Sequence, residues 1–168
     1  MKQSIVSLSI RGAWKAAFVL LLGMPAPATA GPMEDADSAW KKGDYASAAT
    51  LYRSLAEQGR ASAQHSLAKM YENGEGVPRS SAEAVKWYRL AADQGHAGAQ
   101  LYLGGIYETG AGVPRDYVQA YMWYSLSLAA GQDEVAAHGV RQVKESMTWA
   151  QIVEGDRRIR EWKPKPTR

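Results

Sequence analysis

The amino-acid sequence predicts an all-α protein, an α/α solenoid of antiparallel helix pairs wound into a right-handed superhelix. One observation is a 36-residue period, which relates residues 61–96 to residues 97–132 with sixteen identical positions. A period of this length is typical of stacked helical hairpins. The second observation is helical spacing of the apolar residues within each copy, as in Ala63, Leu67 and Met70 at i, i+4 and i+7.

Eight helices are predicted, and they pair in chain order: residues 34–42, 45–58, 61–72, 80–94, 97–108, 116–130, 133–146 and 149–162. Three residue pairs have the spacing and residue types of a capping box at a helix start, namely Ser80 with Glu83, Asp116 with Gln119, and Thr148 with Gln151. A glycine recurs every 36 residues where the second helix of a pair should end: Gly59, Gly95 and Gly131.

The last two helices are expected to cover the end of the core. The apolar set of the seventh helix is Val135, Val140 and Val143, and that of the eighth is Trp149, Ile152, Ile159 and Trp162. The sequence Lys-Pro-Lys-Pro then ends helical structure, and residues 163–168 are predicted to be a disordered tail.

Two glycine-rich loops raise the question of a phosphate site. They read YENGEGVPR at residues 71–79 and YETGAGVPR at residues 107–115. Both lack the third glycine of a dinucleotide-binding loop and the Lys-Ser/Thr of a P-loop, and both follow a helix instead of a strand. The sequence therefore favours a structural turn, built by Gly74, Gly76 and Pro78 in the first copy and by Gly110, Gly112 and Pro114 in the second.

The N-terminal residues 1–30 have the order of a secretory signal peptide: basic residues, an apolar run and an Ala-Thr-Ala exit. Cleavage is expected between Ala30 and Gly31, which would leave a repeat domain at 31–162 in the periplasm or outside the cell. The alternative is a retained membrane anchor, which needs roughly 20 consecutive apolar residues. The apolar run at 16–24 is shorter than that.

Charge and cysteine content narrow the function classes. The whole chain has 20 basic and 17 acidic residues, and the predicted leader holds three of the basic ones and none of the acidic ones. The mature chain is thus balanced, which argues against nucleic acid as a partner. The basic residues of the last segment are expected to be solvated, the alternative being a weak contact with an anionic envelope surface. No cysteine is present, so a disulfide framework is excluded.

The sequence contains no recognisable catalytic or metal-binding motif. His65, His96 and His138 lack a second ligand at i+3 or i+4, so no metal site and no cofactor are predicted. Ser66 and Lys69 match S-x-x-K, but the S-D-N and K-T-G elements that accompany it in acyl-transfer enzymes are missing. We therefore expect no catalytic residues and no enzymatic activity.

The pattern A-x-A-Q-x-x-L-x-x-x-Y-x-x-G-x-G-V-P followed by A-x-x-W-Y resembles the SEL-one-like repeat, a relative of the tetratricopeptide repeat. Residues 61–96 and 97–132 look like full copies, residues 37–60 are similar to a tetratricopeptide hairpin, and residues 133–162 would be capping helices. The resemblance implies a non-enzymatic adaptor or scaffold, which binds a peptide or protein of the bacterial envelope or exterior on a concave surface formed mainly by the first helix of each pair.

Positions that differ between the two copies suggest where a partner binds. On the first helices, Leu101 and Tyr102 are expected to form an apolar contact patch, with His65, Ser66 and Lys69 on its polar side. The alternative for Leu101 is packing against the next hairpin. The alternative function is an envelope hydrolase, acting on peptidoglycan or a β-lactam through a site that the sequence does not display.

Overall fold

A computed structural model describes residues 31–131 and 134–166. Within those residues it contains eight α-helices and no strand: α1 Pro32–Lys41, α2 Tyr45–Glu57, α3 Ala61–Asn73, α4 Ser81–Asp93, α5 Ala97–Thr109, α6 Tyr117–Gly131, α7 Glu134–Glu145 and α8 Trp149–Glu161. Each lies within two residues of its predicted bounds. The predicted signal peptide, including Ala30 at its cleavage site, lies outside the described residues, which begin at Gly31.

The first seven helices pack as consecutive antiparallel neighbours, as the α/α solenoid prediction requires, but α7 and α8, predicted as a pair, pack on α6 and not mainly on each other. Each of the first six contacts the next helix along the chain, and α6 also receives both α7 and α8. The core between them consists of small residues beside aromatic ones, for example Ala63 and Ala91 with Tyr88, all three fully buried. Small residues let two helices approach closely, so one tyrosine can reach across the interface.

Hydrogen bonds repeat with the 36-residue period. Within a hairpin, the Tyr88 hydroxyl donates to Glu72 Oε2 and the Tyr124 hydroxyl donates to Glu108 Oε2, each at 2.7 Å. Between hairpins, the side-chain amides of buried Gln64 and Gln100 donate to the carbonyls of Ala56 and Ala92 at 3.1 and 3.2 Å. These four hydrogen bonds therefore satisfy buried polar groups at equivalent positions of the two copies.

The glycine-rich turns have the backbone geometry of helix ends. Gly74 and Gly110 follow α3 and α5 in the left-handed conformation, with φ of 77° and 79°. Gly76 has φ 67°, and a methyl group there would lie 2.1 Å from the carbonyl oxygen of Tyr45, the first residue of α2. This second glycine therefore lets the turn rest on the preceding hairpin.

The predicted helix caps form, but two of them differ from a complete capping box. Ser80 Oγ accepts the Glu83 N–H at 3.3 Å, and Asp116 Oδ1 accepts the Gln119 N–H at 3.0 Å. The backbone N–H of each cap residue donates to the preceding helix instead, to a tyrosine carbonyl at 2.9 Å. Only Thr148, among these three, has both bonds of the box. At Ser80 and Asp116, the cap backbone N–H bonds to the tyrosine carbonyl instead of the side chain of Glu83 or Gln119. This bond joins the two helices of the hairpin.

Three expectations for the C-terminal part are corrected by the structure. Trp149 is 78% exposed, because α8 packs on α6 through Gly155, against the Tyr121 ring. Val135 of α7 is also exposed, although it was expected to cover the core. Gly131 is the last residue of α6 itself, so the third glycine of the series does not follow its helix.

The basic end of the chain is also less free than its sequence indicates. Residues 163–166, expected to be disordered, are not helical, and Lys165 pairs with Asp93 at 2.7 Å. Arg157 and Arg158 both pair with Glu154, at 2.8 and 2.7 Å. Part of the basic charge is thus neutralised within the protein.

Candidate functional site

A groove of about 230 Å³ lies between the first helices of the first two pairs, and we call it the α1–α3 groove. Its lining combines aromatic surface with charged groups of both signs: Asp37, Trp40 and Lys41 of α1, Tyr52 of α2, Ser66, Lys69 and Met70 of α3, and Glu75 of the following turn. Most of the lining comes from two first helices, which is where the repeat architecture predicts a binding surface.

Two hydrogen bonds hold the aromatic side chains of the groove. The Trp40 Nε1–H donates to Glu75 Oε2 at 3.0 Å, although the tryptophan remains 41% exposed. The Tyr52 hydroxyl donates to Asp37 Oδ1 at 2.5 Å. Burial, followed by the hydrogen bond and charge of Asp37, raises the pKa of Tyr52. The hydroxyl therefore remains protonated, and the aromatic walls are positioned before any ligand arrives.

The two lysines of the α1–α3 groove can pair with a negatively charged group of a ligand. Lys41 is exposed and Lys69 is half-buried, and neither has an acidic side chain within ion-pair distance in the described part of the chain. The two acids of the groove, Asp37 and Glu75, already accept hydrogen bonds from aromatic side chains. A carboxylate from outside could pair with the lysines at little cost to existing contacts.

A cluster of four rings lies where α3 meets α5, and we call it the ring cluster. It comprises His65, Tyr88, His96 and Tyr102. The two tyrosines stack with centroids 4.9 Å apart, and the two histidines stack at 4.6 Å. His65 also meets the Tyr88 and Tyr102 rings, at 5.8 and 5.6 Å.

The histidines of the ring cluster are held in their neutral form. Burial above all, followed by the charges of His96 and Lys69, lowers the pKa of His65 to about 4. Burial also lowers the pKa of His96. Its Nδ1 accepts the Ala99 N–H at 3.2 Å and so caps α5, which places the ring proton on Nε2.

The five residues predicted to contact a partner lie in three settings. Ser66 and Lys69 line the α1–α3 groove. His65 and Tyr102 belong to the ring cluster. Leu101 is half-buried and packs against the core.

The groove also contains residues that the sequence comparison missed, above all Trp40 and Lys41. Helix α1 belongs to the shorter unit that precedes the two full copies. The available signal was a tryptophan on a first helix, just before the tight turn at Gly43. Its exposure could not be read from the local pattern.

Two further properties concern residues 31–131 and 134–166 only. No group of three or more histidine, aspartate and glutamate side chains is arranged there to hold a metal ion. No helix in this part of the chain is both long and apolar enough to cross a membrane.

Comparison with known proteins agrees with the repeat geometry. The family model described as the Sel1 repeat matches residues 61–96 and 97–132, the two copies seen in the sequence. The protein carries two Sel1 repeats. The family is commonly used as a scaffold for protein–protein interaction. No curated protein sequence matches the chain.

Two solved structures resemble this chain. A protective antigen of uropathogenic Escherichia coli strains, which displays an SLR fold, has a TM-score of 0.74 and 26% identity over 78% of this chain. A Sel1 repeat protein from Oxalobacter formigenes has a TM-score of 0.52 and 39% identity over 54% of this chain. The chain spans only 29% and 37% of the length of these two proteins.

Proposed function

We propose that this Sel1 repeat protein is an exported, non-enzymatic adaptor that binds a peptide or protein segment in the α1–α3 groove. The observation that carries the proposal is a half-exposed Trp40, fixed by Glu75, beside two lysines without an acidic partner among the described residues. Fixed aromatic residues are frequent anchors at protein interfaces, because they bury a large area and lose little conformational entropy on binding.

The groove favours a segment that presents an apolar side chain next to a carboxylate. Trp40 would receive the apolar group, while Lys41 and Lys69 would pair with the carboxylate. Ring-cluster residues His65 and Tyr102 lie on the neighbouring helices and would extend the contact toward α5.

Export is supported by the leader-like residues 1–30 and by their Ala-Thr-Ala exit. The test is N-terminal sequencing of the protein recovered from the periplasm or the medium of its own bacterium. A mature chain that begins at Gly31 supports export, whereas a chain that retains residues 1–30 in the membrane fraction contradicts it.

Partner binding is tested by crosslinking the mature protein in envelope extract and identifying the captured chain by mass spectrometry. Trp40→Ala and Lys69→Glu should each lose that partner, because they remove the aromatic anchor and reverse one charge of the groove. Arg141→Glu, the same kind of charge reversal on an exposed position of α7, should retain it. Equal capture by all variants would place the partner elsewhere on the protein.

The hydrolase alternative is tested on the same preparation. Ser66 and Lys69 both line the groove, so the purified mature chain should be incubated with peptidoglycan and with a chromogenic β-lactam. Turnover that disappears in Ser66→Ala would refute the non-enzymatic proposal.

A further inference from the structure

A second groove lies between the ends of α2 and α4, away from the α1–α3 groove, and we call it the α2–α4 groove. It has a volume of about 480 Å³, and its lining includes Glu57, Gly59, Trp87 and Leu90, together with Asp93 on the side next to the C-terminal segment. Leu90 is 42% exposed there. Lys165 and Pro166 of the C-terminal segment form one border.

One repeat further along, the chain places its own C-terminal segment, residues 162–166, on the corresponding surface. A methyl group at Gly95 would lie 3.7 Å from Trp162 Cη2 and 3.8 Å from Pro164 Cγ. The Lys165 backbone N–H donates to the Asp93 carbonyl at 2.7 Å, and the Lys165 ammonium pairs with Asp93 Oδ2 at 2.7 Å. An extended segment thus lies on the end of α4.

The residues beneath this segment have direct counterparts in the open groove, 36 positions earlier. Asp93 corresponds to Glu57, and Gly95, with φ 89°, corresponds to Gly59, with φ 86°. The exposed carboxylate of Glu57 has no basic side chain in ion-pair distance within the described ranges.

The apolar positions differ between the two sites. Leu126, the counterpart of Leu90, is only 8% exposed, in the part of the molecule where α8 packs on α6. The α2–α4 groove therefore has an acidic residue and a glycine at the same positions as the surface under the C-terminal segment. It also has exposed apolar surface, which that site lacks.

We infer that the α2–α4 groove docks an extended segment of a partner protein that presents an aromatic residue, a proline and a lysine in the order of Trp162, Pro164 and Lys165. The lysine pairs with Glu57 as Lys165 pairs with Asp93, and the aromatic and proline rings cover Leu90 and the turn at Gly59. Proline suits such a segment because it restricts the unbound peptide to extended conformations. This site is independent of the adaptor function assigned to the α1–α3 groove.

The experiment uses a fluorescent peptide with the sequence of residues 161–168, titrated with the mature protein and followed by fluorescence anisotropy. Saturable binding at one site is expected. Glu57→Lys should weaken binding about tenfold or more, because it places two positive charges together. A peptide in which the residue equivalent to Lys165 is glutamate should recover binding to the Glu57→Lys protein.

Glu145→Lys is the matched control, since it makes the same charge change at an exposed position of α7 outside the groove. Binding that survives Glu145→Lys but not Glu57→Lys supports the α2–α4 groove. Absent binding, binding unaffected by Glu57→Lys, or binding weakened equally by Glu145→Lys overturns the inference. Sedimentation velocity completes the test: self-association that Glu57→Lys abolishes would make a second copy the occupant and overturn the separate partner.

Discussion

The Tyr124 ring lies between the backbones of two helices, and Gly104→Ala tests how tightly it is held. A methyl group at Gly104 of α5 would lie 2.4 Å from Tyr124 Cδ1, and one at Gly139 of α7 would lie 2.7 Å from Cε2 on the other side of the ring. The hydroxyl is fixed by its 2.7 Å hydrogen bond to Glu108. The ring therefore cannot move away from an added methyl group without losing other contacts.

The expected magnitude follows from two opposing effects. Overpacking a core costs about 1 to 3 kcal/mol, and the clamped ring places this position near the upper end. Replacing a glycine within a helix by alanine stabilises the helix by up to about 1 kcal/mol. We therefore expect Gly104→Ala to lower the free energy of unfolding by about 2 kcal/mol, and the melting temperature by roughly 6 to 10 °C for a domain of this size.

Gly105→Ala is the matched control, one residue further along the same helix. Its methyl group would make an ordinary 3.4 Å contact with the Tyr124 hydroxyl oxygen, so the helix effect should dominate and stabilise the protein by up to about 1 kcal/mol. Both variants are compared with the unsubstituted protein by urea denaturation followed by circular dichroism. A Gly104→Ala protein as stable as the unsubstituted one, or equal losses in both variants, would refute the clamped-ring argument.

Two further predictions concern the hairpin hydrogen bond and the ring cluster. Tyr88→Phe removes the hydroxyl that donates to Glu72 and should lower the free energy of unfolding by about 1 to 2 kcal/mol in the same assay; a loss below a few tenths would mean that water replaces the bond. The lowered pKa of His65, about 4 against 6.5 in the unfolded chain, means that the unfolded state binds more protons between these values, so stability should fall as the pH falls from 6.5 toward 4. For this partly exposed ring the loss should be about 2 kcal/mol, and an unchanged pH profile in His65→Gln would show that other groups cause it.

The sequence determined the helices and their stacking order, because the information for both is local and repeated. Apolar residues at helical spacing, cap residues and glycines recur at the same places in residues 61–96 and 97–132, so each signal is read twice. Ala63, Leu67 and Met70 are buried as their spacing predicts. Gly74 and Gly110 have the positive φ that a helix end in this position requires.

Tertiary structure alone decided which surfaces remain open. Trp40 contacts Glu75, 35 residues away in the chain, and Lys165 contacts Asp93, 72 residues away. Local sequence patterns do not predict contacts between residues so far apart in the chain. Trp149 was placed on the apolar stripe of α8 but faces solvent, whereas Ile159 and Trp162 of that stripe pack against the core. Exposure depends on which helix covers a side chain, and that is settled only when all the hairpins pack together.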